Sequence, residues 1–160
     1  MAPMKGMFKV KNIAKYKGDP TKITYRSSWE FKCMMSFDHD PNVIQWNSEC
    51  IAIAYMSPLD NRVHRYFPDF WVKENVNGRI IEKIIEVKPF FETQKPKMPS
   101  KGPNVKGSRS KNTRYIKEAM TYGVNMAKWA AAQKYCDHRG IQFVKLTENE
   151  LFGKNGGRKV

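Results

Sequence analysis

The pattern of apolar and polar positions in the first half of the chain predicts a helix followed by strands. The helix begins at Ser27, where Glu30 three positions later completes a capping-box pattern, and it ends before Pro41. Asn77-Gly78 is a strong signal for a tight hairpin turn. Apolar runs on either side of turn residues predict strands at 43–46, 50–55, 63–72 and 79–87.

The second half of the chain predicts a helix, a strand and a short closing helix. Helical spacing runs from Thr113 to about Cys136, with Gly123 as a predicted break. A strand at 141–146 follows, and Thr147 with Glu150 forms a second capping-box pattern. A length of 160 residues suits a single domain. The expected order is helix, three or four strands, helix, strand and helix.

Three charged residues lie within the two strands that flank the predicted hairpin. Asp69 lies in the apolar stretch FPDFWV, and Glu86 and Lys88 lie in IIEVK. Side chains alternate along a strand, so Glu86 and Lys88 share a face, where Asp69 from the neighbouring strand can meet them. Charges within apolar strands are costly unless they are paired or bound to a metal. The arrangement is typical of a nuclease that holds a divalent metal against a phosphate. A strand-capping Asp69 beside a solvated Glu86–Lys88 pair is the alternative.

A further acid lies on the first helix. With a period of 3.6 residues, Glu30 shares a stripe with Cys33, Met34 and Phe37. A carboxylate on an apolar stripe is unexpected, and two interpretations stay open. Glu30 either closes the capping box alone or also reaches the edge of the site.

The positive charge is concentrated in three segments. The net charge is +14, and the surplus lies at 1–20, 92–117 and 153–160, while the rest of the chain is balanced. We therefore predict a basic N-terminal arm at 1–24, a basic flexible loop rich in proline and glycine at 92–111, and a basic C-terminal tail at 153–160. Cationic segments around a neutral domain indicate a polyanionic partner such as nucleic acid. The alternative is that the lysines only keep these segments soluble.

Other classes of site find little support in the residues. No apolar run approaches the length of a membrane span, so no membrane partner is expected. The cysteines and histidines are too scattered for a disulfide framework or a zinc site, and we expect reduced cysteines in a cytosolic compartment.

Taken together, these residues resemble the PD-(D/E)xK nuclease superfamily. The core of the resemblance is Glu30 on the first helix, Asp69 in FPDF, and then Glu86-Val87-Lys88. Within that superfamily, a larger part of the chain resembles the head completion nucleases of T-even-type tailed phages, over about residues 5–152. The stretches that carry this closer resemblance are YRSSWEFKCM, PNVIQWNSE, SPLDNRVHRYFPDFWV, IIEVKP and YGVNMAKWAAAQKYC.

The resemblance implies a fold and an activity. The fold is α/β, a restriction-endonuclease-like core whose mixed central sheet is flanked by helices, in the order α-β-β-β-α-β. The implied catalytic residues are Glu30, Asp69, Glu86 and Lys88. Mg²⁺, or Mn²⁺ in its place, is expected to bind Asp69, Glu86, the backbone carbonyl of Val87, and Glu30. The implied function is endonucleolytic hydrolysis of DNA during head completion, at or near the end of the packaged DNA and without strong sequence specificity.

The expected substrate is double-stranded or branched DNA, with portal or head–neck proteins as further partners. The protein would act in the host cytoplasm during phage assembly or in the virion. The predicted DNA contacts near the site are Arg26, His64 and Arg65, although each could instead form a surface ion pair. Gln133 and Lys134 of the second helix are further candidates near the site. The remaining predicted DNA contacts are Lys95, Lys97, Lys101, Lys106, Arg109, Lys111 and Arg114. A non-catalytic structural factor that binds the DNA end or the portal is one alternative, and a junction resolvase is another.

Overall fold

A computed structural model describes residues 4–99 and 108–153 of the chain. In chain order the elements are β1 (Gly6–Met7), a 3₁₀ turn (Ile13–Lys15), β2 (Thr24–Tyr25), α1 (Ser28–His39), β3 (Val43–Ser48), β4 (Ile53–Met56), β5 (Val63–Tyr66), β6 (Phe70–Val76), β7 (Arg79–Val87), a second 3₁₀ turn (Phe90–Thr93), α2 (Ser108–Arg139), β8 (Gln142–Leu146) and α3 (Glu148–Phe152).

A four-stranded mixed sheet forms the centre of the domain. Its strand order is β3-β6-β7-β8, in which β6 is antiparallel to both β3 and β7, and β8 is parallel to β7. The parallel pair requires a crossover, which α2 supplies. With α1 packed on β3 and α2 on β8, the sheet and its helices follow the predicted order α-β-β-β-α-β. The predicted fold class is confirmed.

The hairpin between β6 and β7 forms where Asn77-Gly78 predicted it. Val76 pairs with Arg79, so the turn contains only two residues. Asn77 has φ 53° and Gly78 has φ 82°, the two positive values that a type I′ turn requires. This turn sets the register of the hairpin and therefore of every side chain along it.

Helix α1 buries the predicted apolar stripe. Cys33, Met34 and Phe37 are all buried, and Phe37 packs edge-on against Phe70 of the sheet at 5.1 Å between ring centroids. Ser27 caps the helix by accepting a hydrogen bond from the Glu30 N–H at 3.1 Å. The capping box itself was predicted wrongly, because the Glu30 carboxylate accepts from the N–H of Arg26, at 2.9 Å, and not from that of Ser27.

The predicted strand at 63–72 is two strands in different sheets. Strand β5 pairs with β4 in a separate two-stranded sheet, and β6 belongs to the central sheet. Pro68 lies between them and has no N–H to donate, so a continuous ladder is interrupted there. Asp69 therefore stands immediately before the first residue of β6 and not at the end of a strand.

The N-terminal segment is packed on the domain and does not extend from it as an arm. Phe8 is 4% exposed and Ile23 is fully buried in the main core. The carboxylate of Asp38, also fully buried, accepts hydrogen bonds from the N–H groups of Lys11 and Asn12 at 2.8 and 3.0 Å. The lysines of this segment thus lie on a fixed surface, a packing that composition alone did not indicate.

Helix α2 is longer than predicted and continues through Gly123 without a break. A glycine inside a helix costs only about 1 kcal/mol, which the packing of the surrounding turns outweighs. Because α2 begins at Ser108, the last part of the predicted loop 92–111 is helical. Residues 100–107 of that loop and 154–160 of the predicted tail lie outside the described residues.

The closing helix α3 begins as predicted. Thr147 and Glu150 form a complete capping box. Within residues 4–99 and 108–153, no helix combines the length and the apolar character needed to cross a lipid bilayer.

Candidate active site

The β6–β7 hairpin brings Asp69 and Glu86 side by side. Phe70 pairs with Ile85, so one step further along the same antiparallel register Asp69 lies opposite Glu86. Glu86 is the last but one residue of β7 and is only 7% exposed. The two acids meet at the open end of the hairpin, as strand alternation predicted.

Hydrogen bonds hold one oxygen of each carboxylate. Asp69 Oδ2 accepts from the backbone N–H of Val87 at 2.7 Å, which ties the start of β6 to the end of β7. The hydroxyl of Tyr66 donates to Glu86 Oε2 at 2.5 Å. Among the described residues, no hydrogen bond is made to the other oxygen of either carboxylate. Each acid is therefore fixed in position with one oxygen available to a ligand.

Burial makes it unfavourable for both acids to be ionised together. Desolvation is the main cause of the raised pKa of Asp69, and repulsion by Glu86 adds to it, while the Val87 N–H acts in the opposite direction. Desolvation also raises the pKa of Glu86, against the opposing effects of the Tyr66 hydroxyl and of the positive charge on Lys88. Near neutral pH the pair therefore favours holding a proton between them, which a cation would displace.

Lys88 lies next to this pair on an anchored stretch of backbone. Its Nζ is 3.8 Å from Glu86 Oε1, and its side chain is 28% exposed. Its backbone N–H donates to the carbonyl of Leu146 in β8 at 2.9 Å. The backbone of Lys88 thus continues the pairing with β8 immediately after β7 ends. Its ammonium group lies on the same side of the strand as Glu86, as predicted.

Glu30 reaches the neighbourhood of the pair from the first turn of α1. Its negative charge contributes to the raised pKa values of Asp69 and Cys33, so it lies near both. No hydrogen bond joins Glu30 to Asp69 or Glu86 in the described part of the chain. Glu30 thus does not close a capping box, but it lies close enough for its charge to act on Asp69.

A cleft of about 320 Å³ opens beside Glu86. Three of its lining side chains are cations that come from separate parts of the chain, before α1, from β5 and from α2. The complete lining is Arg26, Glu49, Arg65, Tyr66, Phe67, Glu86 and Lys128. A concentration of positive charge beside two buried acids suits a polyanion whose phosphate is brought to a metal.

Comparison with known proteins identifies the family of the chain. The family model described as "TnsA-like endonuclease N terminal" matches residues 40–148, which include Asp69, Glu86 and Lys88. The chain belongs to this TnsA-like endonuclease family. The match begins after Glu30, so the acid of α1 lies outside the matched region of the family model.

A curated relative covers a larger part of this TnsA-like endonuclease. The protein named Head completion nuclease, from Enterobacteria phage T4, is 41% identical over 146 residues, which are 91% of this chain and 92% of the relative. The resemblance to head completion nucleases of T-even-type phages is therefore confirmed.

In this TnsA-like endonuclease, two of the three DNA contacts predicted near the site line the cleft. Arg26 and Arg65 lie there, although Arg26 also forms an ion pair with Glu49, at 2.6 Å. His64 is not among the lining residues and lies 2.8 Å from Asp60, the ion-pair alternative considered for it.

The remaining predicted DNA contacts lie away from this cleft or outside the described residues. Lys95, Lys97, Lys111 and Arg114 are exposed, and Arg114 forms an ion pair with Glu118, at 2.7 Å. None of these four lines the cleft beside Glu86. Lys101 and Lys106 lie outside the described residues. Arg109 belongs to α2, and its side chain is not described.

Sequence reasoning missed Tyr66 and Lys128. Tyr66 ends β5 and reaches Glu86 only because the chain turns at Pro68 into another sheet, a bend that residue patterns did not reveal. Lys128 borders the buried face of α2, which includes Trp129 and Ala132. That face could have directed attention to Lys128 in place of Gln133 and Lys134, neither of which lines the cleft.

The donor set of this endonuclease fits a hard divalent cation. Mg²⁺ binds proteins through one or two carboxylates and keeps several waters or substrate oxygens. Asp69 and Glu86 supply two such carboxylates, whose burial and mutual repulsion a cation would relieve. No group of three or more His, Cys, Asp or Glu side chains in the described residues is arranged to hold a metal. Two acids plus a backbone carbonyl suit Mg²⁺ better than a metal that needs a complete protein cage.

Proposed function

We propose that this chain is a Mg²⁺-dependent DNA endonuclease that acts in phage head completion. The observation that carries the proposal is the buried Asp69–Glu86 pair, with Lys88 beside it, at the edge of a cleft lined by cations. Costly buried acids of this kind are expected where they serve a metal-dependent reaction. The kinship with the T4 protein named Head completion nuclease supports the biological setting.

In this proposal Asp69, Glu86 and the backbone carbonyl of Val87 would hold Mg²⁺. Glu30 would act from α1 through a water bound to the ion or through a second ion, because no three acids of the described residues are grouped around one position. Mn²⁺ is expected to substitute, since it accepts the same oxygen ligands. The bound ion supplies Lewis-acid polarisation of the phosphate and a water of lowered pKa. Tyr66 keeps Glu86 in position through its hydrogen bond, and the Val87 N–H does the same for Asp69. The protein's part is to fix these oxygens before the substrate arrives.

Lys88 acts on the phosphate and on the water in this scheme. Its ammonium group orients the attacking water and stabilises the negative charge that grows on the phosphate oxygens. Water adds to phosphorus as the bond to the 3′ oxygen breaks, so the products carry a 5′-phosphate and a 3′-hydroxyl. Lys88 is suited to this role because the sheet anchors its backbone while its side chain remains partly exposed.

The DNA contacts proposed here read the backbone and not the base sequence. Arg26 and Arg65 line the cleft and bind phosphates of duplex or branched DNA. The exposed basic residues around the start of α2 extend the attraction over a longer stretch of DNA. Contacts of this kind carry no sequence information, so cutting is expected without strong sequence specificity.

The printed name of the relative supports a proposal for the place of action. We assign the protein to the last stage of head assembly, in the host cytoplasm or in the virion, where it acts at or near the end of the packaged DNA. Portal or head–neck proteins are the proposed protein partners. Binding of purified protein to portal complexes, with and without DNA, tests this part independently of cleavage.

The decisive experiment incubates metal-stripped protein with supercoiled plasmid, alone and with Mg²⁺ or Mn²⁺. We expect nicking or linearisation by the wild type only when a metal is present. Asp69→Asn, Glu86→Gln and Lys88→Ala should each abolish cutting while keeping the fold. Lys134→Ala, on an exposed part of α2, is the matched control and should cut normally.

The results separate the nuclease from its main alternative. Cutting by Asp69→Asn at the wild-type rate would overturn the assignment of the site. If the wild type binds DNA but cuts it with neither metal, the protein is a structural head-completion factor and the proposal is wrong. Preferential cutting of four-way junctions over duplex DNA would indicate a resolvase.

A further inference from the structure

Lys128 lines the cleft from α2, whereas Glu86 lines it from β7. Its side chain is half-buried, and its Nζ lies 5.6 Å from the ring centroid of Tyr66 and 5.8 Å from that of Tyr55. Aromatic faces attract an ammonium group at this distance. Two tyrosines thus hold the charge of Lys128 beside the residue that donates to Glu86.

The charge of Lys128 is not neutralised by a close acid. No ion pair within 4 Å involves Lys128 in the described part of the chain, although its charge acts on Glu86. Two other cations near Glu86 differ in this respect, because Arg26 is paired with Glu49 and Lys88 lies 3.8 Å from Glu86 itself. Arg65 also lines the cleft without an ion pair among the described residues. Lys128 therefore has three N–H donors available in a cleft that Glu86 also lines.

A phosphodiester is the ligand that matches this position. Each phosphate of DNA carries one negative charge and two non-bridging oxygens, and a lysine ammonium binds such a group as a compact point charge. Arg65 lines the cleft from β5 and Lys128 lines it from α2, so a strand in the cleft would meet cations from two separate elements.

We propose that Lys128 binds a non-bridging oxygen of a phosphate in the DNA strand that is cut, and so positions that strand between α2 and the acids. This inference rests on the proposed function, because it assumes that DNA occupies the cleft. It adds to the site a residue of α2, the helix from which sequence reasoning had named Gln133 and Lys134.

The test measures DNA binding in EDTA, where no cutting occurs. A fluorescein-labelled duplex is titrated at several salt concentrations by anisotropy, with wild type, Lys128→Met, Lys128→Arg and the control Lys134→Met. Methionine keeps most of the apolar stem that covers the tyrosines. Melting temperatures of all four proteins show whether each variant is folded.

We expect Lys128→Met to bind roughly tenfold more weakly, the loss typical of a hydrogen bond between charged groups. Its slope of log affinity against log salt should fall by about one unit, because one phosphate contact and its released counterion are missing. Lys128→Arg should restore most of the slope, and Lys134→Met should match the wild type. A parallel fall in cleavage at low protein concentration is expected in Mg²⁺.

The outcomes distinguish this inference from the proposed function. If Lys128→Met is folded and binds with the wild-type affinity and salt slope, Lys128 contacts no phosphate and the inference is overturned. If the slope falls as expected but the wild type never cuts plasmid, the phosphate contact stands and the nuclease proposal fails.

Discussion

Replacing Asp69 by asparagine should stabilise the protein in the absence of metal while abolishing its activity. The asparagine oxygen can still accept from the Val87 N–H, and its amide can donate towards Glu86, so the packing is preserved. What disappears is the cost of a second buried acid beside Glu86. Sites of this kind commonly sacrifice stability for function.

The magnitude follows from the pKa of Asp69. Burial and repulsion by Glu86 raise it from the ordinary 3.8 to about 8. Each pKa unit corresponds to about 1.4 kcal/mol, so the cost of Asp69 at pH 7 has a ceiling of about 4 kcal/mol. Water entering the cleft and exchange of the proton with Glu86 reduce this value, and we expect the free energy of unfolding to rise by about 1–3 kcal/mol. For a chain of this length that corresponds to a melting temperature higher by roughly 3–10 °C.

The gain should depend on pH with a definite sign. The folded-state pKa of Asp69 lies above its unfolded-state value, so the wild type has its full stability below the unfolded value and loses stability as pH rises through the folded value. The advantage of Asp69→Asn should therefore grow between pH 5.5 and pH 8. Mg²⁺ should reverse the order, since it stabilises only the protein that binds it.

Chemical denaturation with urea, in EDTA and in Mg²⁺, measures these changes. Asp137→Asn is the matched control, because Asp137 is an exposed residue of α2. Within residues 4–99 and 108–153 it accepts only from the Gln133 side chain, at 2.8 Å. Its effect should stay within about 0.5 kcal/mol. If Asp69→Asn is no more stable than the wild type in EDTA at pH 8, burial of Asp69 beside Glu86 does not destabilise the fold. The electrostatic reasoning from the raised pKa of Asp69 is then refuted.

Three further predictions test other parts of the structure. Tyr66→Phe removes the hydroxyl that donates to Glu86 and lowers its pKa. The Mg²⁺ concentration for half-maximal plasmid nicking should therefore rise roughly tenfold. An unchanged Mg²⁺ titration would mean that this hydrogen bond does not contribute to metal affinity. Asp38→Ala leaves the N–H groups of Lys11 and Asn12 without their acceptor and should lower the free energy of unfolding by about 3 kcal/mol. Trypsin should then cut faster at Lys11. Resistance to trypsin equal to that of the wild type would contradict the packing of the N-terminal segment. Gly78→Ala places a side chain at φ 82° and should lower the free energy of unfolding by about 1 kcal/mol, measured by thermal denaturation. An unchanged stability would mean that the turn can adopt another type.

The β6–β7 hairpin shows how much of the site local sequence can determine. Asn77-Gly78 allows the two positive φ values of a two-residue turn, and that turn imposes the register. Because side chains alternate with a period of two, the register alone places Asp69 opposite Glu86. The stripe of α1 and the capping box at Thr147 were predictable for the same reason, since each depends on residues within one or two turns of each other.

The errors concern contacts between residues that are distant in the chain. The strand predicted at 63–72 is divided because its halves find partners in different sheets, and apolar periodicity cannot show which partner a strand will choose. The basic N-terminal segment is anchored by Asp38, about 26 residues further on, through bonds to its backbone that leave no trace in its composition.

The sequence by itself therefore determined the elements, the hairpin and the pairing of the two acids, because turn chemistry and side-chain period are local properties. Only the tertiary structure decided which side chains surround that pair. Tyr66 reaches Glu86 because the chain passes from one sheet to another after β5. Lys128 lines the cleft beside Glu86 because of the rotational orientation of α2 about its own axis. That rotation is set by the packing of Trp129 and Ala132 against the sheets, and packing depends on the whole core at once.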